Sequence, residues 1–177
     1  MRVTGGQWSR RPIQAPPGRA TRPTTDRVRE ALFSLLEARG AVLEARALDL
    51  FAGSGALGLD ALSRGAASCT FVERHGPTLA VARRNAASLG AEGAFVRADA
   101  LAWLRRGRDP FDLVLADPPY GLPELPELPA LVAPRLADGA VFVLEHDARH
   151  AFGDAPGFQQ ARAYGGSVLS IFEAPTP

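Results

Sequence analysis

An α/β fold, with a mostly parallel sheet covered by helices on both faces, is predicted by three observations. Short apolar runs that read as buried strands alternate with stretches of helical spacing, the pattern of successive βαβ units. The first run, residues 47–50, passes through a glycine-dense turn straight into a helix, Ala47-Leu48-Asp49-Leu50-Phe51-Ala52-Gly53-Ser54-Gly55-Ala56-Leu57-Gly58. Acids stand at the ends of four successive strands: Asp49, Glu73, Asp99 and Asp117. In an open α/β sheet ligands bind outside the carboxyl ends of the strands, so four acids in register there predict a site.

The elements follow in order. Residues 1–24 read as a basic arm or short hairpin, with Val3, Trp8 and Ile13 as its few apolar anchors. Residues 25–177 read as one domain. Thr24 or Thr25 can cap a helix on which Val28, Ala31, Leu32, Leu35 and Leu36 recur at helical spacing. Arg22, Arg27 and Arg29 fall off that stripe and are expected to be free for a ligand or solvent. After the glycine turn, Leu57, Leu59, Ala61 and Leu62 continue a helix. Residues 69–72 form a second strand ending at Glu73, and 78–89 a helix with Leu79, Ala82, Ala86 and Leu89 inward. A third strand at 94–96 leads to Asp99, a helix starts over 101–104, and 113–116 is the fourth strand.

The segment 122–134 carries Pro123, Pro126, Pro129 and Pro134, which predicts a loop and at most a short helix over about 129–136. Gly139 then sets up a fifth strand at 141–144. Phe158, Tyr164 and the apolar run 168–172 predict a closing antiparallel hairpin, which brings the sheet to seven strands.

Composition bounds the function. The chain has 177 residues, enough for one domain with a proper core, and its 46% hydrophobic content predicts a folded protein. The single cysteine, Cys69, lies in a predicted strand and reads as a buried core thiol. No apolar run approaches the roughly 20 residues that span a bilayer, so a membrane location is not expected and a cytoplasmic one is. All basic residues are arginine; residues 1–29 carry a net charge of +6 and the remainder −5. A basic arm of this kind suits sequence-independent contact with a nucleic-acid backbone, and Arg2, Arg10, Arg11, Arg19, Arg22 and Arg27 are its candidate contacts.

Gly53, Gly55 and Gly58 satisfy G-x-G-x-x-G, and Glu73 follows Gly53 by twenty residues, as in the Rossmann dinucleotide fingerprint. Two details lead away from a nicotinamide cofactor. Asp49, four residues before Gly53, would repel a pyrophosphate and suits an ammonium group. The second is Asp117-Pro118-Pro119-Tyr120, which follows the apolar fourth strand.

These features together resemble S-adenosylmethionine-dependent methyltransferases that modify exocyclic amines. The run 21–33, Thr21-Arg22-Pro23-Thr24-Thr25-Asp26-Arg27-Val28-Arg29-Glu30-Ala31-Leu32-Phe33, makes the likeness specific. With the glycine turn, Ala61-Leu62-Ser63-Arg64-Gly65-Ala66, Asp117-Pro118-Pro119-Tyr120, Glu145-His146 and Tyr164-Gly165, it resembles the RsmD family of small-subunit ribosomal RNA guanine-N2 methyltransferases across nearly the whole chain. The resemblance implies a Rossmann-like class I methyltransferase fold and S-adenosyl-L-methionine as cofactor, with no metal. It also implies ribosomal RNA, within the small subunit or its assembly intermediate, as partner of a monomeric enzyme.

By the same resemblance the cofactor would be held by Asp49, Phe51, Ala52, Gly53, Ser54, Gly55, Glu73, Asp99, Ala100 and Asp117. Asp49 would take the amino group, Glu73 the ribose hydroxyls and Asp99 the adenine amine, while Phe51 lines the pocket. Asp117, Pro118, Pro119 and Tyr120 would be catalytic: the acid and the Pro118 carbonyl hold the amine, and Tyr120 stacks on the base. An adenine-N6 nucleic-acid methyltransferase, a protein glutamine methyltransferase and a non-catalytic RNA-binding assembly factor that retains the fold remain alternatives, and a dehydrogenase would require NADH binding.

Overall fold

The computed structural model describes residues 1–16, 25–107 and 109–176. Seven strands, β1 (Arg46–Leu50), β2 (Ser68–Glu73), β3 (Ala94–Arg97), β4 (Phe111–Ala116), β5 (Leu136–His146), β6 (Phe158–Tyr164) and β7 (Ser167–Glu173), form one sheet in the order β3-β2-β1-β4-β5-β7-β6. The first five are parallel neighbours, and β7 enters antiparallel between β5 and β6. The chain order reverses between β1 and β4, which is where an open α/β sheet leaves its ligand crevice.

Alternation along the strands separates two apolar layers. Leu48, Leu50, Val114, Ala116, Phe142 and Leu144 face one way, under helices α4 (Ala100–Arg106) and α5 (Leu128–Val132). Ala47, Leu113, Leu115, Val143, Leu169 and Ile171 face the other, under α1 (Asp26–Ala38), α2 (Ala56–Ser63) and α3 (Gly76–Leu89). Both faces of the sheet are thus covered, as the apolar runs require.

The capping threonine of α1 is Thr25, whose side chain accepts from the Val28 amide; Thr24 lies outside the described residues. Phe33, absent from the predicted apolar stripe, is fully buried beside Leu32 and Leu36. Cys69 is buried, and burial pushes its thiol well above the usual range.

Three expectations are corrected. The helical run after β4 begins earlier than residue 129 and is broken into a 3-10 turn (Leu125–Glu127), α5 and a second 3-10 turn (Ala133–Arg135). Each segment carries a proline in its first two positions, where no amide hydrogen is needed, so the prolines start turns instead of preventing them. The fifth strand runs over Leu136–His146, and Gly139, with φ +70°, lies inside it rather than before it. There the ladder with β4 shifts register, and Gly139 donates its amide to the Pro175 carbonyl, so chain beyond β7 completes the pairing.

Arg29 is not free. It is 1% exposed, pairs with Asp60 at 2.5 Å and Asp26 at 2.7 Å, and donates to the Arg2 carbonyl at 2.6 Å. The reason is tertiary. Asp60, itself 0% exposed, sits on α2 where α1 packs, and a buried carboxylate there needs a cation. Burial pushes the Asp60 carboxyl upward despite the pull of Arg29.

Residues 1–13 form a small hairpin: Val3 donates its amide to the Arg11 carbonyl at 3.0 Å, Ile13 donates to the Met1 carbonyl, and a 3-10 turn spans Gly6–Trp8. Val3 and Ile13 are buried in the layer under α1 to α3. The Thr4 amide donates to Asp60 and the Trp8 amide to Ser63 Oγ, both on α2.

Candidate active site

The turn after β1 is shaped by its backbone. Phe51 adopts φ +59°, a conformation a bulky side chain avoids, and its neighbour Ala52 donates its amide to the Val72 carbonyl across to β2 at 3.0 Å. Gly53 follows at φ +57°, and a side chain there would meet nothing nearer than the Phe51 carbonyl at 3.8 Å, so the backbone stands bare toward open space. Gly58 answers a different need. A Cβ on it would lie 2.4 Å from the Phe71 ring and 2.6 Å from the Cys69 sulfur, so its absence lets α2 lie directly on β2.

That close approach also aims the Gly58 amide at Asp49. The carboxylate accepts from it at 2.9 Å while 1% exposed. Burial pushes the Asp49 carboxyl well above the usual range; the Gly58 bond pulls it down, and the charges of Asp117 and Glu73 push it further up. Glu73, 4% exposed, accepts from the Gly53 amide at 3.2 Å with one oxygen and from the His75 amide at 2.8 Å with the other. A carboxylate offers about four lone-pair sites, so two acceptor positions are left over. Asp99 is exposed and caps α4 through the Ala102 amide at 3.0 Å.

One cleft of about 1170 Å³, its open mouth included, takes in Asp49, Phe51, Ala52, Gly53, Ser54, Glu73, Asp99, Ala100, Asp117, Pro118, Pro119 and Tyr120. Gly55 is not on its lining. At φ +80° it caps α2 from below, with Ala82 3.2 Å from where its Cβ would be. Because β3, β2, β1 and β4 are neighbours in space, the four strand-end acids form a single rim along the carboxyl edge.

Of the arginines singled out in the arm, Arg2 pairs with Asp26 at 3.0 Å while half exposed, and Arg11 donates to the Ser88 carbonyl of α3 at 2.5 Å. Arg10 and Arg27 are exposed on the surface. Arg19 and Arg22 lie outside the described residues.

Sequence reasoning missed Asn85. This buried side chain on α3 donates to the Ser54 carbonyl at 2.9 Å and to the Gln14 carbonyl at 3.0 Å, and accepts from the Gln14 amide at 2.9 Å. It ties the glycine turn to the N-terminal segment, which sends Met1 and Pro16 to the cleft wall beside Arg29. A signal was present: Asn85 lies three residues after Ala82 on the inward stripe of α3, where a polar side chain needs buried partners.

Known proteins share this architecture. The family described as conserved hypothetical protein 95 matches residues 1–173. The ribosomal RNA small subunit methyltransferase D of Escherichia coli strain K12 is 38% identical over 159 residues, covering 88% of this chain and 79% of that one. The solved structure of yhhF from Escherichia coli superposes with a TM-score of 0.88 at 34% identity, covering 100% of this chain and 99% of the other. The fold alone is shared, at 22% identity and a TM-score of 0.74, with a Thermus thermophilus 16S rRNA N2 G1207 methyltransferase solved with AdoMet and guanosine; 89% of this chain matches 46% of that one. With a family match running through nearly its whole length and a relative sharing more than a third of its residues, the chain belongs to the ribosomal RNA small subunit methyltransferase D family.

Proposed function

We propose that the protein is an S-adenosylmethionine-dependent methyltransferase acting on the exocyclic N2 amine of a guanine in small-subunit ribosomal RNA. The observation that carries this reading is the single cleft in which the rim acids meet Asp117-Pro118-Pro119-Tyr120. Membership in a family with a small-subunit ribosomal RNA methyltransferase supports the choice of that RNA, and the resemblance of the sequence motifs supports that of guanine.

The cleft fits the cofactor. Open space above Gly53 admits a ligand against bare backbone, and the buried Asp49 carboxylate suits an ammonium group. Glu73 keeps acceptor capacity for a pair of hydroxyls, and exposed Asp99 is available to an adenine amine. When bound, S-adenosylmethionine supplies a methyl group on a sulfonium, an electrophile with a neutral leaving group. The protein's share is orientation.

A guanine N2 is a weak nucleophile because its lone pair is delocalised into the ring. Asp117, one residue beyond β4, accepts a hydrogen bond from the amine, and the Pro118 carbonyl accepts the other. With both hydrogens held, the lone pair points at the methyl group. Pro118 has no N–H to compete, and Pro119 fixes the chain that follows. Tyr120, 52% exposed at the cleft mouth, offers its face to a base drawn out of its surroundings. The product amine is acidic until it loses a proton, so no strong base is required. Arg10, Arg11 and Arg27 at the surface supply phosphate contacts.

No helix among the described residues is long and apolar enough to cross a membrane. We place the enzyme in the cytoplasm as a monomer that meets the RNA in the small subunit or its precursor.

The test is methyl transfer from labelled S-adenosylmethionine to small ribosomal subunits isolated from a strain lacking the gene, followed by nucleoside identification. Labelled N2-methylguanosine is expected. Label in N6-methyladenosine or in protein would overturn the substrate, and no label despite cofactor binding would overturn the enzyme reading.

A further inference from the structure

The rim does not end at Asp117. Leu115, Val143 and Leu169 share one apolar layer, so strand alternation puts Asp117, Glu145 and Ser167 on that same face, each two residues away. Register sets Asp117 level with Glu145, since Leu115 opposes Val143, and because Glu145 opposes Leu169 and His146 opposes Val168, Ser167 stands just beyond the end of β5. Because β7 is antiparallel to β5, its first residue, Ser167, lies at the carboxyl edge where β4 and β5 end. The turn between β6 and β7, closed by the Tyr164–Ser167 pair, therefore stands over the same edge as the cleft.

Both tyrosines of the chain lie near this turn, each through Ser167. Tyr164 packs half-buried against the layer beneath, while Tyr120 is exposed, and its hydroxyl lies 3.5 Å from Ser167 Oγ. That separation exceeds the roughly 2.5–3.0 Å of a firm O–H···O bond. The gap leaves room for a planar base laid against the ring to draw the two hydroxyls together.

We propose that Ser167 is a positioning residue, setting the plane of the Tyr120 ring from the tip of the β6–β7 hairpin, and that this tip is the outer wall of the target-nucleotide subsite. The assignment rests on the methyltransferase reading above. It gives the antiparallel end of the sheet a task distinct from the cofactor's: β1 to β3 receive the methyl donor, and β7 and β6 frame the acceptor.

A double-mutant cycle on Ser167→Ala and Tyr120→Phe, assayed with small ribosomal subunits from a strain lacking the gene, tests it. Each single change is expected to lower kcat/KM for the RNA about tenfold, the scale of one lost hydrogen bond, with cofactor affinity unchanged. The double variant should be no worse than either single one, and Ser167→Thr should restore activity. Wild-type activity in Ser167→Ala, or losses that multiply in the double variant, would overturn the assignment while leaving the methyltransferase reading intact. A parallel fall in cofactor affinity would overturn it too, as general disturbance of the rim. Failure of the wild-type protein to form N2-methylguanosine would remove the underlying reading and the assignment together.

Discussion

The two ends of the rim are built by opposite means. Over β1 and β2 the acids are buried and already engaged: Asp49 holds the Gly58 amide, and Glu73 holds those of Gly53 and His75. Beyond β4, Pro119 and Tyr120 are exposed, and the Tyr120 hydroxyl has a loose partner in Ser167. A small ligand repays a preformed pocket, since ordering it in advance lowers the cost of binding. A base presented by a large RNA needs an open face. The contrast teaches that substitutions at one end should register first in stability or cofactor affinity, and at the other in turnover.

The largest expected effect breaks the buried support of the cofactor end. Arg29→Ala leaves Asp60 buried and unpaired and should cost about 3–5 kcal/mol of unfolding free energy, read by chemical denaturation. An unchanged midpoint would show that the pair carries no such weight. Next, Asp117→Ala at the other end should lower kcat about 100-fold or more with the melting temperature kept and a far smaller change in cofactor affinity, read by single-turnover methyl transfer. A fall in cofactor binding of similar size would blur the contrast between the two ends.

Asp49 sharpens the comparison through pH. Its carboxyl is held above the ordinary range, so between the ordinary and raised values the folded protein binds a proton that the unfolded chain has released. The stability cost of this group therefore grows as pH rises through that window. Asp49→Asn, which keeps an acceptor for the Gly58 amide, should raise the melting temperature at neutral pH. A cofactor ammonium favours the ionised carboxylate, so wild-type affinity should fall as pH drops through the raised pKa. The Asn variant should bind about tenfold more weakly at neutral pH and lose that pH dependence, which titration calorimetry across pH would check.

The smallest effect lies on the surface. Replacing Arg10 and Arg11 with Ala should flatten the salt dependence of RNA binding by about one unit of slope for each phosphate no longer neutralised, leaving turnover at saturating RNA unchanged. No change in slope would remove the hairpin from the RNA interface.

Much of this could be read directly from the chain. Strand alternation, the glycine turn and the strand-end acids are local patterns, and each reports where the backbone must bend or where a polar group ends an apolar run. They indicated a mostly parallel sheet, the carboxyl edge as the site, and, Gly55 apart, the strand-end and turn residues that gather in one cleft. Arg29 was misread because helical periodicity says which face is apolar but not which neighbour brings a buried carboxylate. Only the packing of α1 on α2 decided that. The same limit hid Asn85, whose partners lie 31 and 71 residues away. It hid Ser167 as well, since its distance from Tyr120 depends on an antiparallel strand returning to the rim. Hydrogen-bond partners and charges far apart in sequence are chosen by the fold as a whole, so only the tertiary structure could pair them.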